Sequence, residues 1–231
     1  MAFGARTPDD NDAQTPPDDH ANPDLDGSKF HHARILTAAL AYLLLNQGDS
    51  VGLVLASNQI VRQVAPRAAP GHVLSLCQAL LDTPPAGQTH IARVLAQLAA
   101  RLNRRSLIVV ASDLLDDPRQ TLSALGQLAH RGHEVIVFHV LHRREVEFDL
   151  GLAGHGVTIL KDMETADEFP AEPQLIRDLV RGEIRRFCDQ LDAGTRAHGI
   201  HLLRCLTDEP PASAVIRFVR SRGRRGGRSG S

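Results

Sequence analysis

Cysteine is scarce here, and what there is does not pair. Cys77, Cys188 and Cys205 are scattered and never fall at C-x-x-C spacing. That excludes a disulfide framework and a zinc ribbon, and leaves three small core residues of a protein kept in a reducing compartment. Long apolar runs are lacking too. The longest, Ile35 to Leu45, is interrupted by Thr37 and falls short of the roughly 20 residues that span a bilayer. The N-terminus is acidic and has no apolar core segment, so no secretory signal is expected and the location read from the sequence is the cytoplasm. No Ser-His-Asp or Cys-His arrangement is indicated. Gly223, Gly226 and Gly227 follow no strand and form no phosphate loop.

Net charge is also nearly absent, at −1, but its distribution is uneven. Residues 5–28 carry Asp9, Asp10, Asp12, Asp18, Asp19, Asp24 and Asp26 against Arg6 alone. Such a segment has too little apolar surface to offset its ordering entropy, so residues 1–28 read as a disordered acidic arm. Arg217, Arg220, Arg222, Arg224, Arg225 and Arg228 close the chain with no acid among them, and residues 223–231 read as a solvated basic tail. That run contains no aromatic beyond Phe218 and no other basic patch joins it, so neither nucleic acid nor a membrane surface is expected as a partner.

Between the tails, strands alternate with helices. Lys29 to Asn46 has apolar residues at helical spacing, closed by Gly48. Val51 to Ala56 and Ile60 to Val64 read as strands joined by Ser57-Asn58, the second an edge because Arg62 interrupts its apolar pattern. Helices follow at about 70–82 and 89–102, then a strand at 107–111 and a helix from Pro118 to about His130. Glu134 to Val140 is the next strand. After a less regular section with a short strand at 157–160 come a long helix at about 172–198, a strand at 200–206 and a helix at 212–220. This order implies an α/β fold with a doubly wound, mostly parallel sheet over residues 29–222.

Ser106 to Pro118 is the most informative stretch. An aliphatic strand ends in Ser112-Asp113, and Asp116-Asp117-Pro118 then opens a helix. Ligands of open parallel sheets gather at the carboxyl ends of strands, and an acid directly after a buried strand must be hydrated, paired or metal-bound. Asp113 is therefore the first site candidate. Thr89, after Gly87-Gln88, is the second: a hydroxyl and a carboxylate at strand ends suit Mg²⁺, although Thr89 reads equally as a helix N-cap. Asp116 and Asp117 are either further acids of that site or caps for the next helix. The histidines, among them His139 and His142, read as core or surface residues rather than ligands.

Gly48 to Leu55, Gly87-Gln88-Thr89, Arg105 to Asp116, Arg131 to Val135, Asp162 to Thr165 and Thr207 to Pro210 fall in an order that resembles the C-terminal half of the bacterial domain-of-unknown-function family fifty-eight. The resemblance covers nearly all of residues 29–222. Members contain a von Willebrand factor A-like domain, a Rossmann-like α/β fold, and often accompany MoxR-type AAA+ ATPases. The resemblance implies a divalent ion on the carboxyl edge, held by an Asp-x-Ser-x-Ser loop after the first strand, a Thr and a later Asp. Thr89 and Asp113 look like the last two elements. The loop and its strand have no counterpart, because Met1-Ala2-Phe3-Gly4 resembles the segment just after that loop. The first, central strand is thus expected to be missing from between the strands at 51–56 and 107–111, through an upstream start codon or because a partner donates a strand. The implied function is a non-enzymatic interaction module. It would work beside a MoxR-type ATPase or its client, with Mg²⁺ bound weakly or not at all by Thr89 and Asp113. The competing expectation is a Mg²⁺-dependent phosphoryl or nucleotide hydrolase using Asp113, Asp116 and Asp117.

Overall fold

The structure, a computed structural model, describes residues 29–85, 90–147, 158–161, 168–171 and 173–226. In chain order the elements are α1 (Lys29–Asn46), β1 (Val51–Ala56), β2 (Ile60–Arg67), α2 (His72–Asp82), α3 (Ile91–Arg101), β3 (Leu107–Ser112) and α4 (Pro118–His130). There follow β4 (Glu134–Leu141), α5 (Arg143–Glu147), β5 (Thr158–Lys161), β6 (Glu168–Ala171), α6 (Pro173–Ala197), β7 (His201–Leu206) and α7 (Pro211–Gly226). The acidic arm and the last five residues lie outside the described residues, while α7 extends past the predicted end at Arg220 to Gly226. Among the described residues no helix is long and apolar enough to cross a membrane.

Local sequence explains where helices stop. Gly48, Gly132 and Gly199 have positive φ. The residue after each donates its N–H five positions back, Asp49 to Leu44, His133 to Leu128 and Ile200 to Thr195. This is the Schellman closure, in which glycine takes the left-handed position without steric cost. At the other end of α4, Asp117 Oδ1 accepts from the backbone of Arg119 at 2.8 Å and Gln120 at 3.4 Å, ahead of Pro118 at the first turn.

The expected parallel sheet is present as β3-β4-β7. Leu107 to Ser112 pairs in register with Glu134 to His139, and Ile136 to Leu141 with His201 to Leu206. β4 is central and its side chains alternate between two helix layers, as strand geometry requires. Val135 and Val137 join Ile108 and Val110 against Leu95 and Ala99 of α3, Leu125 and Leu128 of α4, and Leu191 of α6. Ile136, Phe138 and Val140 face Leu36, Leu40 and Leu44 of α1 with Ala214 and Phe218 of α7. The doubly wound α/β class is therefore established.

The sheet is interrupted where the sequence reading expects its first, central strand to be missing. β1 and β2 form a separate antiparallel hairpin that is not hydrogen-bonded to β3. It docks on Ala41 and Leu45 of α1 and Leu76 of α2 through Val51, Leu53 and Val64. A second hairpin, β5 with β6, occupies the section read as irregular. Its second strand and the short α5 carry no periodicity long enough to be read from sequence.

Candidate functional site

The carboxyl edge of β3-β4-β7 is built by the chain reversal after Ser112. Ser112 Oγ accepts from Leu114 N at 3.0 Å, Asp113 Oδ1 accepts from Leu115 N at 3.3 Å, and Asp116 N donates to Leu114 O at 2.7 Å. Leu114 is thereby held at φ +54°. A bulky residue in the left-handed region costs on the order of 1–3 kcal/mol, and burial of its side chain, 1 % exposed in the α3/α4 core, offsets it. Two apparently conflicting demands are met at once: Leu114 points into the core and Leu115 is left 60 % exposed on the rim.

Asp113 has a partner that sequence reading did not anticipate. Lys29, the first residue of α1, donates from Nζ to Asp113 Oδ2 at 2.8 Å and to Glu145 Oε1 at 2.6 Å. Burial works against the Lys29 charge, but the hydrogen bonds and charges of Asp113 and Glu145 overcome it and hold its pKa above that of a free lysine. The other Glu145 oxygen accepts from His142 N at 3.1 Å, fastening α5 to the same cluster. Arg143 of α5 bonds Asp208, just past β7, so both ends of the edge are clamped by ion pairs.

His139 supports this loop from beneath. Its Nε2 lies 2.9 Å from the Asp113 carbonyl oxygen; a carbonyl can only accept, so Nε2 carries the proton. The ring is fully buried and faces Phe187 of α6 at 6.2 Å, leaving Nδ1 with no hydrogen-bond partner. Burial lowers the pKa of His139, with Arg204 acting in the same direction and the Asp113 bond and the charges of Asp113 and Asp192 opposing.

Of the predicted site residues, Asp113 stands where expected. Thr89 lies outside the described residues. Asp117 is the α4 cap, its pKa lowered by the Gln120 side chain and the Arg119 N–H, and Asp116 accepts from Asp117 N at 2.8 Å; both are engaged by backbone. Lys29, Glu145 and Leu115 are the residues that the sequence did not disclose. Among the described residues no group of three or more His, Cys, Asp or Glu stands together to hold a metal. Among the described residues, the carboxylates of Asp113 and Glu145 are both bonded to the Lys29 ammonium.

A three-stranded parallel core covered on both faces defines an open α/β domain, the class of fold in which ligands gather at the carboxyl edge of the strands. Residues 23–187, more than half of the chain, match the family described as protein of unknown function DUF58, and the chain belongs to that family. No curated protein and no solved structure matches it significantly.

Two outcomes follow from this geometry. The folded pKa of His139 lies below the ordinary value near 6.5, so the unfolded chain binds more protons just below that pH. Stability is whole above about 6.5 and is lost as pH falls toward the folded pKa. Urea midpoints at pH 7.5 and 5.5 should fall in that order, with a smaller drop in His139→Gln; equal drops would contradict the assignment. With Lys29 on Asp113, calorimetry with Mg²⁺ or Mn²⁺ should show no micromolar binding, and Lys29→Met should lower stability by about 1 kcal/mol. Micromolar affinity in the unaltered chain would overturn this reading.

Proposed function

We propose that this chain is a von Willebrand A-like protein-interaction module that presents the carboxyl edge of β3-β4-β7 to another protein. The partner favoured by family resemblance is a MoxR-type AAA+ ATPase or its client, and the role is accessory to assembly or maturation of other complexes in the cytoplasm. The carrying observation is Leu115. It is large, apolar and 60 % exposed, on a turn fixed by Ser112, Asp113 and Asp116, with Val146 of α5 also exposed.

An apolar anchor on rigid backbone, ringed by charged and hydrogen-bonding groups, has the anatomy of an interface hot spot. Because the turn is already ordered, binding would cost little further conformational entropy. The acids of the edge are engaged in pairing and capping, which supports recognition over hydrolysis. Three free thiols suit a reducing compartment.

The test is interferometry between the purified chain and a purified MoxR-type ATPase from the same genome. The unaltered chain should bind, and Leu115→Asp should weaken binding at least tenfold while leaving the urea midpoint unchanged. Absence of binding by the unaltered chain, or equal binding by the variant, would contradict the proposal.

A further inference from the structure

The amino ends of β3, β4 and β7 lie side by side, with Leu107 opposite Glu134 and Ile136 opposite His201. The three segments that lead into these strands touch one another. Glu134 N donates to Ser106 O at 3.0 Å, Arg131 Nη1 donates to Ala99 O at 2.5 Å, and the His130 and His198 rings stand edge to face at 5.5 Å. Residues 101–106, 130–134 and 196–201 thereby bring together Arg101, Arg104, Arg105, Arg131 and Arg196, all of them exposed. Among the described residues none of the five forms an ion pair, and Arg101 and Arg131 bond only to neutral oxygens. Glu134 is the one acid in these segments, and it is half-buried and already engaged. The sequence conceals this basic edge because its members come from three separate loops.

A groove leads to this edge along α4. Arg119, Ser123, Gln127 and His130 of α4, with His198, line a cavity of about 390 Å³ that has no acid in its walls. Spacings of four, four and three place the α4 residues on one helix face. At about 1.5 Å per residue the row is roughly 16 Å long. α4 runs against the strands, from Pro118 just past the carboxyl edge to His130 at the amino edge. Arg119 makes no ion pair among the described residues either. The groove therefore begins at one unpaired cation and opens onto five more.

We infer that the basic amino edge and the α4 groove bind the acidic arm of the same chain, residues 5–28. The arm carries Asp9, Asp10, Asp12, Asp18, Asp19, Asp24 and Asp26 against Arg6 alone, which is the charge complement of the edge. Its attachment point also fits. The arm joins the fold at Lys29, which Asp113 and Glu145 hold at the carboxyl edge, the end at which α4 begins. A six-residue strand such as β3 is about 20 Å long, and extended chain covers about 3.3–3.6 Å per residue. Asp24 and Asp26 stand too near Lys29 to reach the far edge. Asp18 and Asp19 reach about 35 Å, and Asp9, Asp10 and Asp12 about 60 Å. Tethering gives the arm an effective concentration on the order of millimolar, so weak pairing between exposed charges is enough to seat it. Seated there, it cancels a field that would otherwise gather other polyanions. The amino edge is the opposite end of the sheet from Leu115, so the inference stands whether or not Leu115 is an anchor.

The test is backbone amide NMR on the full chain at low salt. A variant combining Asp9→Asn, Asp10→Asn, Asp12→Asn, Asp18→Asn and Asp19→Asn should shift the signals of residues 101–106, 130–133 and 196–199 and leave those of α2 unmoved. Raising salt to about 1 M, where screening acts within about 3 Å, should move the same signals in the unaltered chain and not in the variant. Arg104→Gln with Arg196→Gln, two exposed changes, should in turn shift the amides of residues 9–19. The inference is overturned if the five-fold variant leaves the amino edge unmoved or moves α2 equally. Shifts lost on tenfold dilution would overturn it by assigning the acids to a second copy. A short single-stranded oligonucleotide that moves the amino-edge signals equally in the unaltered chain and the variant would overturn it by assigning the edge to nucleic acid.

Discussion

Everything in this fold depends on one helix covering two sheets. α1 is apolar around most of its circumference, a pattern that only burial on several sides explains. Leu36, Leu40 and Leu44 face the parallel sheet, while Ala41 and Leu45 face the β1–β2 hairpin and α2. Each leucine so buried contributes about 1.5–3 kcal/mol. No strand-to-strand hydrogen bond joins the hairpin to β3, so this packing is the principal tie between them. A backbone bond from His90 to Ser57 and the Arg101–Gln63 contact are minor supports. The same helix begins with Lys29 and so also sets the charge of the carboxyl edge. One element therefore determines both how the sheets stand and what the edge offers.

At that edge, electrostatics and backbone strain act together. The Lys29 ammonium satisfies Asp113 and Glu145 at once, which gives the acid beside a buried strand the partner it requires without a metal ion. The hydrogen bonds from Ser112 and Asp113 hold Leu114 in a conformation it would not adopt in isolation, and they leave Leu115 exposed. A residue strained inward and its neighbour displayed outward are the arrangement on which the proposed recognition of another protein rests.

Much of this is legible in the sequence because it is local. The aliphatic run before Ser112-Asp113, the Asp117-Pro118 start of α4 and the glycine that ends α1 each specify structure within a few residues. Asp113 can be placed at the sheet edge for the same reason. What is not legible is long-range. Lys29 and Asp113 are 84 positions apart, and Lys29 and Glu145 are 116 apart, so no spacing rule connects them. The exposure of Leu115 depends on the sign of φ at Leu114, which an ordinary leucine does not advertise. The separation of β1 from β3 agrees with the expected missing strand between them, but that expectation comes from the family resemblance, since two apolar strands look alike in sequence whether or not they meet. Thr89 is the weaker half of the predicted pair because its residue type serves equally as a cap.

β1 and β3 share a roof but not a ladder, and disulfide trapping tests this most directly. Cysteines bridge readily only when their Cα atoms lie within about 7 Å; neighbouring strands stand about 4.8 Å apart, and strands with room for another between them about twice that. Paired cysteines scanned across Val51–Ala56 and Leu107–Ser112 should fail to oxidise under conditions that cross-link the registered pair Leu107 and Glu134. Efficient cross-linking of β1 to β3 would show that the two sheets are one, and would contradict the separate hairpin.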